Sequence, residues 1–415
     1  MIQYKLIIVI FLLFITLFEL YKRYREYKTY TIKTIPTEVK EIYGEEINQE
    51  EFEKSQNYHK ELTIISIIEN IYNFIINMIT YTTPLLSIIW NNCQFINGYV
   101  SSMITMIVIS FISELFDLPF SLYVEFGIRK KYELTKMTVK TYFKDKTISF
   151  IISNVLNCII CSALYFFSET SNLCFYLWIA ILLLNVFFTL IFTPFIVPLF
   201  FKKSPLEEGE LKEKVEMKLK EVDFPLKSVC VIDASSKQKE GNAFFSGLLG
   251  KRDLVLYDNL ITSSTNEEIV DIVLHEVGHS KHHHIYKLLA VQLTKVYFIL
   301  KFIETFLFDD NLYQQFGFTD KPVVIGFSLL ETLLIPFMEI LAFVSNVLTR
   351  KFEYQADEFS VKNGFGHLDS ALIKLNKNNL GSFIIDPFIS TIEHSHPTII
   401  ERVKAIRKLK EEKNK

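Results

Sequence analysis

About seven stretches of this chain stay apolar for close to the twenty residues that an α-helix needs to cross a bilayer, and they limit its fold more than any other feature. They run at Leu6–Leu20, Leu62–Trp90, Tyr99–Leu118, Ile148–Phe167, Leu173–Phe200, Ile285–Phe308 and Val323–Leu348. Inside lipid every backbone N–H and C=O must find a partner within the chain, so runs of this length imply helices. No small-residue cleavage site follows the first run, which therefore reads as an uncleaved anchor, marginally short and completed by snorkelling flanks. A content of 50% hydrophobic and 14% aromatic residues fits an integral membrane protein and not a soluble one of 415 residues.

The distribution of charge gives an orientation. Basic residues gather after the first run (Lys22, Arg23, Arg25, Lys28) and after the third (Arg129, Lys130, Lys131, Lys136, Lys140, Lys144, Lys146). The segments Asn91–Gly98 and Ser168–Asn172 have none, and the one after the sixth run has only Lys321. By the positive-inside rule the segments after odd-numbered spans face the cytosol. A net charge of −3 gives no support to a nucleic-acid partner. Thr29–Glu61 is polar, with Glu45, Glu46, Glu50, Glu51 and Glu53, and reads as a solvated connector. Polar groups nevertheless stand within or beside the apolar runs, among them Glu69, Asn73, Asn77, Glu114, Asn154, Lys295, Glu304, Glu331 and Glu339, and such groups face a protein interior or a wet cavity. The five cysteines are scattered and suggest neither disulfides nor a metal site.

Between the fifth and sixth runs lies His275-Glu276-Val-Gly-His279. Positions i and i+4 share a helix face, so both histidines can aim a ring nitrogen at one metal. Glu276 then sits beside the metal, where a carboxylate can take a proton from metal-acidified water and return it to a leaving amine. Thr265 and Glu268 have capping-box spacing at the head of this helix. A catalytic zinc needs a third protein ligand, for which the candidate is Glu353, with Asp357 one turn on as a carboxylate behind a ligand histidine. Both segments follow odd-numbered spans and so fall on one side of the membrane. Two short strands, Ser228–Asp233 and Asp253–Asp258, suit a small sheet whose edge could take an extended peptide. Lys281-His282-His283-His284 reads as a solvated helix end, with stray metal binding as the rival reading. The division that follows is a membrane region at 1–204, a catalytic segment at 205–284, two further transmembrane helices at 285–348 and a C-terminal catalytic segment at 349–415.

Taken together, these residues resemble the type I CAAX prenyl endopeptidases, intramembrane zinc metalloproteases of the endoplasmic reticulum and nuclear envelope. The likeness rests on HExxH at 275–279, on Phe352-Glu-Tyr-Gln-Ala-Asp357 for the EFQAD box, on Asn242-Ala243-Phe244-Phe245 for the substrate-facing strand, and on Ser395-His396-Pro397 with Glu401-Arg402 for the SHPxxxER element. Phe52-Glu-Lys-Ser55, Phe126–Lys146 and Pro205–Lys212 resemble the family's first loop, third loop and approach to the catalytic domain. Ser280 departs from the bulky aromatic usual after HExxH.

The resemblance implies an all-α polytopic membrane protein, with about seven helices around a large water-filled chamber and a small α+β zinc metalloprotease domain on the cytosolic side. It implies one Zn2+, isoprenylated CAAX protein substrates, release of the C-terminal aaX tripeptide and a monomer in the endoplasmic reticulum membrane. His396 would stabilise the oxyanion or position substrate, Arg402 would buttress the acidic residues, and Asn242, Ala243 and Phe244 would bind the substrate backbone. Without the resemblance, His396 belongs to a histidine pair before a proline and Asn242 is a turn residue after Gly241. A broad quality-control zinc protease and a non-catalytic membrane scaffold stand as the alternative functions.

Overall fold

The computed structural model describes residues 2–94, 97–191, 195–246 and 252–413. The protein is mostly helical and multi-pass. Among the described residues, five helices are long and apolar enough to cross a membrane: Tyr4–Thr29, Gln49–Thr82, Gly98–Arg129, Val139–Phe167 and Val323–Asn363. The two remaining apolar runs are also helical, as Leu173–Ile191 and His284–Phe306. Of the fifth run, 192–194 with Pro194 lies outside the described residues.

His284–Phe306 carries Lys287, Lys295, Lys301 and Glu304, and most of these find partners inside the protein. Lys295 donates to Ser345 Oγ at 3.0 Å, Lys301 pairs with Glu304, and Glu304 accepts the backbone N–H of Cys174 at 2.9 Å. At one end of the bundle, Tyr4, Ile8 and Leu12 of the first helix pack into a core with Leu300, Ile303, Leu307, Tyr313 and Leu329. The five cysteines are free.

Four strands form one sheet, ordered β1 (Lys203–Pro205), β2 (Leu226–Ile232), β4 (Arg252–Tyr257) and β3 (Ala243–Ser246). β2 and β4 are parallel, and the outer strands β1 and β3 run antiparallel to their neighbours. The residue pattern marked β2 and β4, and the resemblance marked β3 as the substrate-facing strand; β1, at three residues, is too short to show a period. Leu254 and Leu256 of β4 bury against Ile269, Val270, Val273 and Val277 of the helix Asn266–Lys281. The sheet thus fixes that helix from below.

The connector differs from the expected solvated segment. Thr37–Tyr43 is a helix whose Val39, Ile42 and Tyr43 are buried, and with Ile47 and Phe52 they pack on Ile373, Phe383 and Val403 of the C-terminal segment. Their i, i+3, i+4 spacing makes one apolar face, while the acidic residues that suggested solvent, Glu45, Glu46, Glu50, Glu51 and Glu53, come after this helix in the chain. The first helix is anchored to the same segment by a buried charge cluster, in which Lys22 lies 2.5 Å from Glu19 and 2.6 Å from Glu393.

Candidate functional site

The helix Asn266–Lys281 begins with the expected capping box, Thr265 and Glu268 each bonding the other's backbone N–H. It crosses the long helix Val323–Asn363 at Gly278. A Cβ there would lie 2.9 Å from Ala356 Cα and 3.1 Å from Ala356 O, so the approach depends on glycine. A second tie is Asp271, wholly buried, which accepts the backbone N–H groups of Phe365 and His367 just past the end of the long helix. Ser360 Oγ donates to Asp271 O at 2.7 Å. These contacts register the two helices so that residues 275–279 face residues 353–357.

At that crossing, His275, His279 and Glu353 each offer a ligand atom, all within 4.8 Å of one another. His279 Nε2 is 3.2 Å and His275 Nε2 3.5 Å from the Glu353 carboxylate, and the two Nε2 atoms are 3.1 Å apart. Glu353 Oε2 is buried without a hydrogen-bond partner. Two imidazoles converging on a buried carboxylate, one oxygen of which makes no hydrogen bond, fit a divalent cation, and two histidines with one glutamate form a known catalytic zinc set.

Behind these groups, Asp357 Oδ1 sits 2.9 Å from His275 Nδ1, which directs His275 Nε2 toward Glu353. Arg402 is buried and donates from Nε (2.9 Å) and Nη2 (2.6 Å) to the two Asp357 oxygens, with Nη1 3.4 Å from Glu353. Burial opposes its charge, but Asp357 outweighs this and raises the Arg402 pKa further. Burial also opposes protonation of His275, yet Asp357 and Glu353 prevail and raise it to about 9 in the metal-free protein. Glu276 is raised above the ordinary carboxylate range by burial, with His275 and His279 pulling the other way.

His396 is largely exposed and reaches the site from its open side, with Nε2 3.4 Å from Glu353 Oε1. Its loop is held by Arg350, which donates to His396 O and pairs with Glu401. Asn242 is exposed, its side-chain oxygen accepting the Ala243 N–H at 2.8 Å. Ala243 and Phe244 begin β3, which among the described residues pairs only with β4 and forms the edge of the sheet. Ala243 turns into the core beneath the metal helix, and Phe244 packs toward Val197, Ile232 and Val255.

One expectation is overturned here. The Lys281–His284 run is solvated only through His283; His284 is 1% exposed and lies against His279. Asp271, Gly278 and Ser360 also escaped the sequence reading, because their work is contact between helices far apart in the chain.

Against known families, residues 23–202 match the model of the CAAX prenyl protease N-terminal region, five membrane helices, and residues 205–410 match peptidase family M48. A CAAX prenyl protease 1 homologue of Dictyostelium discoideum is 33% identical over 90% of both chains. One from Arabidopsis thaliana is 32% identical over 87% of this chain and 88% of its own. The crystal structure of S. mikatae Ste24p superposes with a TM-score of 0.93 at 30% identity, covering 98% of this chain and 99% of that one.

Proposed function

This chain belongs to the CAAX prenyl proteases of peptidase family M48, and from that premise we propose how it acts. It is a metalloendopeptidase that processes isoprenylated CAAX proteins, releasing the aaX tripeptide. The single observation that carries the site assignment is the convergence of His275, His279 and Glu353 on one buried point, with Glu276 on the same helix.

We assign the metal as one Zn2+, held by His275, His279 and Glu353. When bound, it supplies Lewis acidity to water and to the scissile carbonyl. Glu276 takes the proton of the attacking water and passes it to the departing amine; its upward-shifted pKa suits both transfers. Asp357 fixes the His275 ring, and Arg402 holds Asp357 while offsetting the negative charge of the two carboxylates. His396 approaches from the open side, where it can donate to the oxygen that gains charge. The free edge of β3, from Asn242 through Ala243 and Phe244, takes the substrate backbone as an added strand.

The helices His284–Phe306 and Leu173–Ile191 complete a set of about seven spans around a water-filled chamber. Support comes from Glu331, exposed on a spanning helix. The catalytic segments 205–284 and 349–415 face the cytosol on the charge rule, the protein acts as a monomer, and the membrane is that of the endoplasmic reticulum.

Two C-terminal peptides, identical except for a farnesyl group on cysteine, test the substrate class. Mass spectrometry should show loss of the tripeptide from the farnesylated peptide alone. Equal cleavage of both would indicate a quality-control protease, and no cleavage by metal-loaded protein a non-catalytic scaffold.

A further inference from the structure

The two histidines of the metal helix are backed by different chemistry. His275 has the carboxylate of Asp357 behind it, whereas His279 has a second imidazole: its Nδ1 lies 3.0 Å from His284 Nδ1. The far nitrogen of that ring, His284 Nε2, lies 2.9 Å from Gln355 Oε1. The His284 ring also stacks on Phe352 at 4.1 Å with the planes 8° apart. Both faces of its hydrogen bonding and one face of its ring are therefore engaged in the buried interior.

With the Gln355 amide oxygen turned toward the ring, proton counting allows one neutral arrangement. Gln355 Oε1 can only accept, so His284 Nε2 carries the proton and His284 Nδ1 is the lone pair. That lone pair requires the proton of His279 on Nδ1, leaving His279 Nε2 free to face Glu353. The chain Gln355–His284–His279 thus selects the one His279 tautomer that can bind a metal through Nε2.

Backbone geometry bears this out. Between the metal helix and the helix that starts at His284, His283 adopts φ +57°, ψ +32°, a left-handed conformation uncommon for a residue other than glycine. That turn brings His284 back beneath His279. The outer partners all come from one stretch of the long helix, Phe352 for the stack, Gln355 for the hydrogen bond and Asp357 for His275, which also supplies Glu353.

We propose that His284 is a positioning residue for the metal site, fixing the tautomer and orientation of His279, with Gln355 fixing His284 in turn. The proposal rests on the reading that His275, His279 and Glu353 hold the metal. A neutral backing for His279 sets its ring without adding a further negative charge beside Glu353 and Asp357.

The test uses the full-length protein purified in detergent, stripped of metal and titrated with Zn2+ against a chromophoric chelator. Co2+ loading gives the ligand-field spectrum, and the melting temperature of the metal-free form is recorded beside it. His284→Phe keeps the ring stack and removes both hydrogen bonds; it should weaken Zn2+ binding about 10–100-fold and shift the Co2+ spectrum, with the metal-free melting temperature unchanged. Gln355→Leu, which touches only the outer end, should weaken binding by less, and the double variant should bind no worse than His284→Phe. Should His284→Phe not fold, Gln355→Leu carries the test. Wild-type affinity and spectrum in the variants would overturn the proposal, as would a loss of affinity that merely follows the metal-free melting temperature. A wild-type protein that binds no Zn2+ would overturn the metal-site reading beneath it.

Discussion

Gly278→Ala should separate metal binding from stability. The added Cβ would lie 2.9 Å from Ala356 Cα, 3.0 Å from Phe359 Cβ and 3.1 Å from Ala356 O. Carbon atoms rest about 3.5–4.0 Å apart, so each contact is short by roughly 0.5–1 Å. Two of the three atoms are backbone and cannot swing aside, so the helices must part or slide by a comparable distance. In stability the effects partly offset, because alanine gains about 1 kcal/mol over glycine within a helix and overpacking costs about 1–3 kcal/mol, leaving a net loss of about 0–2 kcal/mol. The metal site is less forgiving. His275 and His279 stand on one helix and Glu353 on the other, and ligand distances tolerate only about 0.2 Å. Metal affinity should therefore fall about 10–100-fold, with hydrolysis falling alongside it. The assay is chelator competition together with a thermal melt, using Ser280→Ala on the same helix as control. Wild-type affinity in Gly278→Ala would refute the claim that this crossing sets the ligand geometry.

Four further outcomes follow from the same structure. Arg402→Leu leaves Asp357 and Glu353 buried without their counter-charge and should cost about 3–5 kcal/mol, read as lower thermal stability of the purified protein. Metal stripped by a chelator should abolish cleavage and its return restore it. Because Asp357 and Glu353 raise metal-free His275 to about 9, metal uptake must expel a proton below that pH, so affinity should rise about tenfold per pH unit from neutrality toward pH 9 and then level off. Lys22→Met strips Glu19 and Glu393 of a buried partner and should loosen the first helix from the C-terminal segment, seen as faster proteolysis near Glu393.

How much of this was legible in the chain depends on the range of the interaction. HExxH, the Thr265–Glu268 cap and the Glu353–Asp357 pair are local patterns on single helices, and their spacing alone carried them. Hydropathy marked the apolar helices because lipid imposes a length on each run separately. His284 was hidden because a Lys-His-His-His run looks solvated until a left-handed residue at His283 folds its last member inward. Gly278 and Asp271 act on distant partners, Ala356 on the long helix and Phe365 and His367 just past its end, and no spacing within their own segment signals that. The connector misled for a related reason: its apolar face, Val39, Ile42 and Tyr43, has a partner only once the C-terminal segment has folded back on it.

The central claim is a division of labour, in which His275, His279 and Glu353 hold the metal and Glu276 works beside it. Metal content and tripeptide release, measured together on wild type, Glu276→Gln and Glu353→Gln with the farnesylated peptide, test it most directly. The account predicts one metal per chain and no release for Glu276→Gln, and loss of both metal and release for Glu353→Gln. Tripeptide release by Glu276→Gln at the wild-type rate, or full metal retention by Glu353→Gln, would contradict it.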